Sequence, residues 1–302
     1  MNHLKTFLAL FLCLMLFTAC GASHESGVAP EDMADDFSIV TSFYPIYVLT
    51  INVAGDVPGV RVTNMTEPQS GCLHDYELSP ADMKTLENAD LFVINGAGME
   101  TFIDEIKAVY PDLVIVEAAR DIPLIIDEST GEENPHVWVS ISNAIKQVEN
   151  IKEALAGADP SHEEDYRRNA DEYRSKLTAQ KERMHEALKD IGSRDIVTFH
   201  EAFPYFAQEF GLNIVSVIER EPGTEPTGPE LGETIEIINS LGVKAIFAEP
   251  QYSARAAETI AAETGAKVYL LDPLVTGPKD ADPNSYVDTM ERNLQTLIEA
   301  LK

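Results

Sequence analysis

The sequence predicts an α/β protein of two similar lobes, each a four-stranded parallel sheet flanked by helices, joined by one long rigid helix. Three observations carry this expectation. From Phe37 onward, short β-branched runs alternate with longer helical stretches, the pattern of a parallel sheet covered by helices. The alternation breaks at Ser161–Ile191, which has no Gly or Pro and is rich in Glu, Arg, Lys and Ala. After Gly192 it resumes.

The elements follow in order. Lys5 and the apolar run Phe7–Ala19 read as a secretory signal, shorter than the about 20 residues that cross a bilayer. Gly21–Asp36 is small, acidic and unpatterned, a flexible tether. Ser38–Phe43, Val60–Met65, Leu91–Ile94 and Leu113–Glu117 are candidate strands, with helices over Ile46–Ala54, Pro80–Ala89 and Thr101–Val109. Ser79 and Pro80 form a cap and first-turn signal. Asp159-Pro160-Ser161 opens the long helix, whose Tyr166, Tyr173, Leu177, Met184 and Leu188 recur at roughly helical spacing. The second set of strands is Asp195–Phe199, Ile214–Ile218, Lys244–Ala248 and Lys267–Leu271. Its helices are Glu201–Phe210, Pro229–Leu241, Ala254–Thr264 and Asn284–Leu301. The expected division is residues 1–19 signal, 20–36 tether, 37–160 first lobe, 161–192 linking helix and 193–302 second lobe.

Charge and cysteines narrow the function. A formal net charge of −29 over 302 residues argues against nucleic acid, whose phosphates need Lys and Arg; at long range it attracts cations. The cysteines are Cys13, Cys20 and Cys72. Leu16-Phe17-Thr18-Ala19-Cys20 resembles the lipobox of bacterial lipoproteins. That implies cleavage before Cys20, a lipid on Cys20, and a chain tethered outside the cytoplasmic membrane. Cys72 is then left without a disulfide partner, and a multi-cysteine zinc cluster is excluded.

Of the seven histidines, His3 falls in the signal, His24 in the tether, and His162 and His185 on the long helix as solvated surface groups. His74, His136 and His200 sit at junctions between elements, and Asp272 follows a strand. Open α/β sheets bind ligands off the carboxyl ends of strands, which places His200 and Asp272 where a site is expected; His74 and His136 come from the first lobe, so the site would lie in the cleft between lobes. Three imidazoles and a carboxylate suit tetrahedral Zn²⁺. Their wide spacing carries no local signature, and a buried or capping role for each histidine stays open on residue types alone.

The runs His74-Asp75-Tyr76-Glu77-Leu78-Ser79-Pro80, Asn134-Pro135-His136-Val137-Trp138, Thr198-Phe199-His200-Glu201-Ala202-Phe203-Pro204, Phe247-Ala248-Glu249-Pro250 and Leu271-Asp272-Pro273 together resemble the solute-binding lipoproteins of zinc and manganese ABC importers. The likeness covers nearly all of Phe37–Lys302. It implies metal held between the lobes by His74, His136, His200 and Asp272. A histidine at the third position resembles the zinc-type members, and imidazole-rich sites favour Zn²⁺ over Mn²⁺. The implied role is a lipid-anchored monomer on the outer face of the cytoplasmic membrane, delivering Zn²⁺ to an ABC permease and its ATPase. Glu249 and Glu201, beside the site, are candidates to orient the ligating imidazoles. Alternatives are manganese uptake, an adhesin-like surface role, or a zinc hydrolase with Asp272 or Glu249 as base, for which no HExxH motif exists. The sequence departs from the family in two places. Asp121–Asn134 has no histidine and instead carries Asp127, Glu128, Glu132 and Glu133; Cys72 stands in Gly71-Cys72-Leu73, where proline more often precedes the histidine. Cys72 reads as a small packed residue, with a place near the metal as the alternative.

Overall fold

In a computed structural model, residues 36–67, 72–73, 76–126, 131–218 and 226–302 are described. The signal, Cys20, nearly all of the tether, His74, Asp127 and Glu128 lie outside them. The first four apolar runs form β1 (Phe37–Thr41), β2 (Val60–Asn64), β3 (Leu91–Ile94) and β4 (Val114–Glu117). They pair in parallel in the order β2-β1-β3-β4, with Ile39 beside both Val62 and Leu91. All four residues of β3 are buried, as expected of a central strand covered on both faces. The second set, β5 (Asp195–Thr198), β6 (Asn213–Val217), β7 (Ala245–Ala248) and β8 (Lys267–Leu270), repeats this order as β6-β5-β7-β8, again parallel.

Nine helices lie among the described residues: α1 (Tyr44–Ala54), α2 (Pro80–Leu86), α3 (Ile103–Val109), α4 (Ile141–Ala158), α5 (Glu163–Leu188), α6 (Pro204–Phe210), α7 (Gly228–Leu241), α8 (Arg255–Thr264) and α9 (Ser285–Leu301). Local chemistry sets several starts. Pro80 and Pro204 occupy first-turn positions, where a missing N–H costs nothing. Ser79 and Asp82 form a reciprocal capping box on α2. α6 therefore begins after Glu201, at Pro204, and α2 ends at Leu86, short of Ala89.

The long helix α5 begins after a single 3-10 turn, Pro160–His162. Asp159 anchors that turn by accepting hydrogen bonds from Ser161, His162 and Tyr166. At 26 residues, α5 runs about 39 Å. It buries Tyr166, Ala170, Tyr173, Leu177, Met184 and Leu188 and packs against α1, α4 and α9. The main core takes Ile39 and Phe92 from the first sheet and Ile196 and Phe247 from the second, and Asp36–Lys302 forms one compact unit. No helix among the described residues is long and apolar enough to cross a membrane.

Candidate metal centre

In the second lobe β5 and β7 are neighbours. His200 follows the end of β5 and Glu249 the end of β7, so the two leave adjacent carboxyl ends at the point where strand order reverses. Both are 1% exposed. His200 Nδ1 lies 3.1 Å from Glu249 Oε1, and Gln251 Nε2 donates to Glu249 Oε2 at 2.6 Å. The carboxylate makes Nδ1 the donor and leaves Nε2 for another partner. His200 Nε2 is buried and has no hydrogen-bond partner among the described residues. Burial alone would lower the His200 pKa, but the Glu249 charge and Cys72 outweigh it and raise it to about 10.

The first lobe supplies His136 from the segment after β4. Asn134 Oδ1 accepts from the His136 backbone N–H at 3.0 Å and lies 3.1 Å from its Nδ1. The asparagine thus turns Nε2 toward the centre. Asn134 is itself fixed across the lobes, because its Nδ2 donates to the Glu201 carbonyl at 2.8 Å and the Tyr205 hydroxyl donates to the Asn134 backbone carbonyl at 2.6 Å. Behind it, Asn95 Nδ2 donates to the Pro135 carbonyl at 3.0 Å. Glu100 holds this corner: Oε1 accepts from Ser42 Oγ and the Asn95 N–H, and Oε2 from the Gly96 N–H. Gly96 turns there with φ +77°, and a Cβ on it would stand 3.0 Å from Glu117. Trp138 completes the join, donating from Nε1 to the Pro273 carbonyl at 2.8 Å, with its ring centroid 5.3 Å from that of His136.

The His136 and His200 rings meet edge to face, 4.9 Å apart. Cys72, in the segment after β2, places Sγ 3.5 Å from His136 Nε2. One donor atom from each of Cys72, His136 and His200 lies within 4.8 Å of the others. Asp272, after β8, is not in that cluster. Its Oδ1 accepts from the Leu274 N–H at 2.8 Å, and its Oδ2 is 4.0 Å from Arg292. Burial, chiefly, raises the Asp272 pKa; the Leu274 hydrogen bond and Arg292 pull it back, and the Glu249 charge adds to the rise. Glu201 touches the site through its backbone carbonyl. His162 is bound to Asp159 and His185 is half exposed, both remote from these groups in the chain. Sequence reasoning passed over Asn134 and Gln251. The signal for Asn134 was present, since an Asn side chain commonly binds backbone two residues on.

Two inward-facing imidazoles and a thiol, with carboxylates behind them on the loops after β7 and β8, are a donor set suited to a divalent cation. The profile of the ZnuA family, zinc-uptake complex component A, periplasmic, matches residues 39–300. The chain belongs to this family. It is 32% identical over 308 residues to the high-affinity zinc uptake system protein ZnuA of Bacillus subtilis (strain 168), covering 96% of this chain and 95% of that protein. It is 31% identical over 305 residues to the zinc-binding lipoprotein AdcA of Streptococcus pneumoniae, covering 95% of this chain but 58% of that protein. The SBP FpvC from Pseudomonas aeruginosa, solved in complex with Mn²⁺, matches with a TM-score of 0.79 at 30% identity, covering 88% of this chain and 98% of that one. Two lobes of parallel sheet joined along one helix are the ZnuA-family architecture seen in this chain.

Proposed function

We propose that this chain is an extracytoplasmic receptor that captures Zn²⁺ between its lobes and delivers it to an ABC permease for uptake. The observation that carries this is His200 Nε2, buried and unpartnered among the described residues, with the Nδ1 side of its ring held by Glu249. An orphaned buried nitrogen costs stability, and a metal ion removes that cost. The ligands are His74, His136, His200 and Asp272, with Glu249 orienting His200 and Glu201 adjoining Asn134. The lobes divide at 37–160 and 193–302, linked by 161–192. Four protein ligands close a zinc tetrahedron and leave no position for an activated water, so the role is binding and not catalysis. Imidazole donors favour Zn²⁺ over Mn²⁺. The receptor acts as a monomer, lipid-anchored through Cys20 on the outer face of the cytoplasmic membrane, and its partners are the permease and ATPase of one importer.

The test is metal content and zinc titration of the unsubstituted chain beside His200→Ala. One tightly held zinc that is lost or sharply weakened in the variant supports the reading. Zinc binding untouched by His200→Ala, with manganese bound more tightly, overturns it.

A further inference from the structure

Cys72 belongs to the donor cluster but not to the four ligands that the family resemblance implies. Its sulfur stands 3.5 Å from His136 Nε2 and within 4.8 Å of the His200 donor nitrogen. Tetrahedral zinc with Zn–S of about 2.3 Å and Zn–N of about 2.0–2.1 Å has an S···N edge of about 3.6 Å. The observed separation, that of a sulfur–imidazole hydrogen bond, also matches the edge between two ligands of one ion, so little movement is needed to admit it. Independently, the His200 Nε2 is fully buried and lacks a partner among the described residues. A cysteine serving only to fill space has no need to face two imidazole nitrogens. Asp272 is held by the Leu274 N–H and stands outside this cluster.

We propose that Cys72 binds the transported ion as a thiolate, beside His136 and His200, and that it replaces Asp272 in the ligand set given above. The inference rests on the zinc-receptor reading above and deepens it. As the sulfur–metal bond forms, the thiol proton passes to solvent and no group changes oxidation state. Asp272 then contributes charge at the rim. A thiolate is a soft donor, so it tilts the site toward Zn²⁺ and Cd²⁺ and away from Mn²⁺.

The test uses the full chain carrying Cys13→Ser and Cys20→Ser, which leaves Cys72 as the sole thiol, loaded with Co²⁺ and separately with Cd²⁺. Near-ultraviolet absorption is recorded against metal content. One bound Co²⁺ with an intense thiolate-to-metal charge-transfer band, and the matching band with Cd²⁺, supports the proposal. One bound ion without such a band overturns it and leaves the receptor reading intact, whereas no bound ion overturns both. Adding Cys72→Ser should abolish the band and lower zinc affinity by at least about tenfold, since even groups that merely support a ligand cost that much. Manganese affinity should fall by less than zinc affinity, because Mn²⁺ gains less from a soft sulfur donor. Unchanged zinc affinity in a folded Cys72→Ser chain also overturns the proposal. The band itself is read without altering Cys72, so a misfolded variant does not block the decision.

Discussion

Replacing Glu249 with Gln should weaken zinc binding about 10- to 100-fold, or about 1.4–2.7 kcal/mol, and flatten its pH dependence. The magnitude follows from His200. Against burial, which lowers it, the Glu249 charge and Cys72 raise its pKa from 6.5 to about 10. At pH 7 the metal-free ring therefore holds a proton that zinc must displace, at a cost of roughly 4 kcal/mol. Glu249 attracts both competitors, but Zn²⁺ carries twice the charge of H⁺, so losing the carboxylate costs zinc more than it costs the proton. In the unsubstituted chain, displacement of this proton makes log affinity rise by about one per pH unit until the pH nears 10. In the variant that contribution levels off near the ordinary histidine pKa. The assay is competition with a chromophoric chelator from about pH 6 to 9. Parallel curves of equal affinity for the two chains would refute the reasoning. The same shift acts on folding. A raised histidine pKa contributes stability that is fully present below about pH 6.5 and lost as pH rises through about 10. The metal-free protein should lose Tm across that window, and Glu249→Gln should lose less.

Asn134→Ala should free the His136 ring to rotate and cost about tenfold in zinc affinity, measured by the same competition with the far-ultraviolet dichroism unchanged. Trp138→Phe strands the buried Pro273 carbonyl, which now accepts from the indole, and should cost about 1–3 kcal/mol; a Tm within error of the unsubstituted chain would refute this. Burial chiefly raises the Glu100 carboxyl to about 7 against the pull of Ser42 and the Asn95 and Gly96 N–H groups. A carboxyl so raised stabilises the fold below about pH 4.5 and loses that contribution as pH climbs through about 7, a swing of roughly 3 kcal/mol. Denaturant midpoints should fall over that interval in the unsubstituted chain, and this fall should be missing in Glu100→Gln.

Much of the fold was legible because the sequence marks its own punctuation. Most strands sit on β-branched runs, though Ala245–Ala248 and Lys267–Leu270 hold one β-branched residue each; Pro80 and the Asp159-Pro160-Ser161 corner mark where helices begin, while α6 starts at Pro204 and not at the expected Glu201. Strand order was not legible. Nothing in Phe37–Thr41 says that it lies between Val60–Asn64 and Leu91–Ile94, because that is decided by how two sheet faces are covered, far along the chain. Part of the site was readable for the same reason that the strands were: His200 and Asp272 follow strand ends, where ligands gather. The arrangement around the histidines was not. Cys72 precedes His136 by 64 residues, and only the folded loops set its sulfur against that ring. The hold of Asn134 on the lobe interface likewise depends on Glu201 and Tyr205 coming from the other lobe.

The chain contains a single tryptophan, and it is Trp138, fully buried, stacked edge-on against Phe43 and 5.3 Å from the His136 ring. The protein thus carries its own optical gauge. Any change in the charge of that imidazole falls within reach of the indole, and no second indole dilutes the reading. Occupancy of the centre should be visible as a change in native emission, on unlabelled protein, at the dilutions that tight binding demands. Because the same ring ties the first lobe to Pro273 in the second, its colour would report a loosening of the two lobes on the same trace.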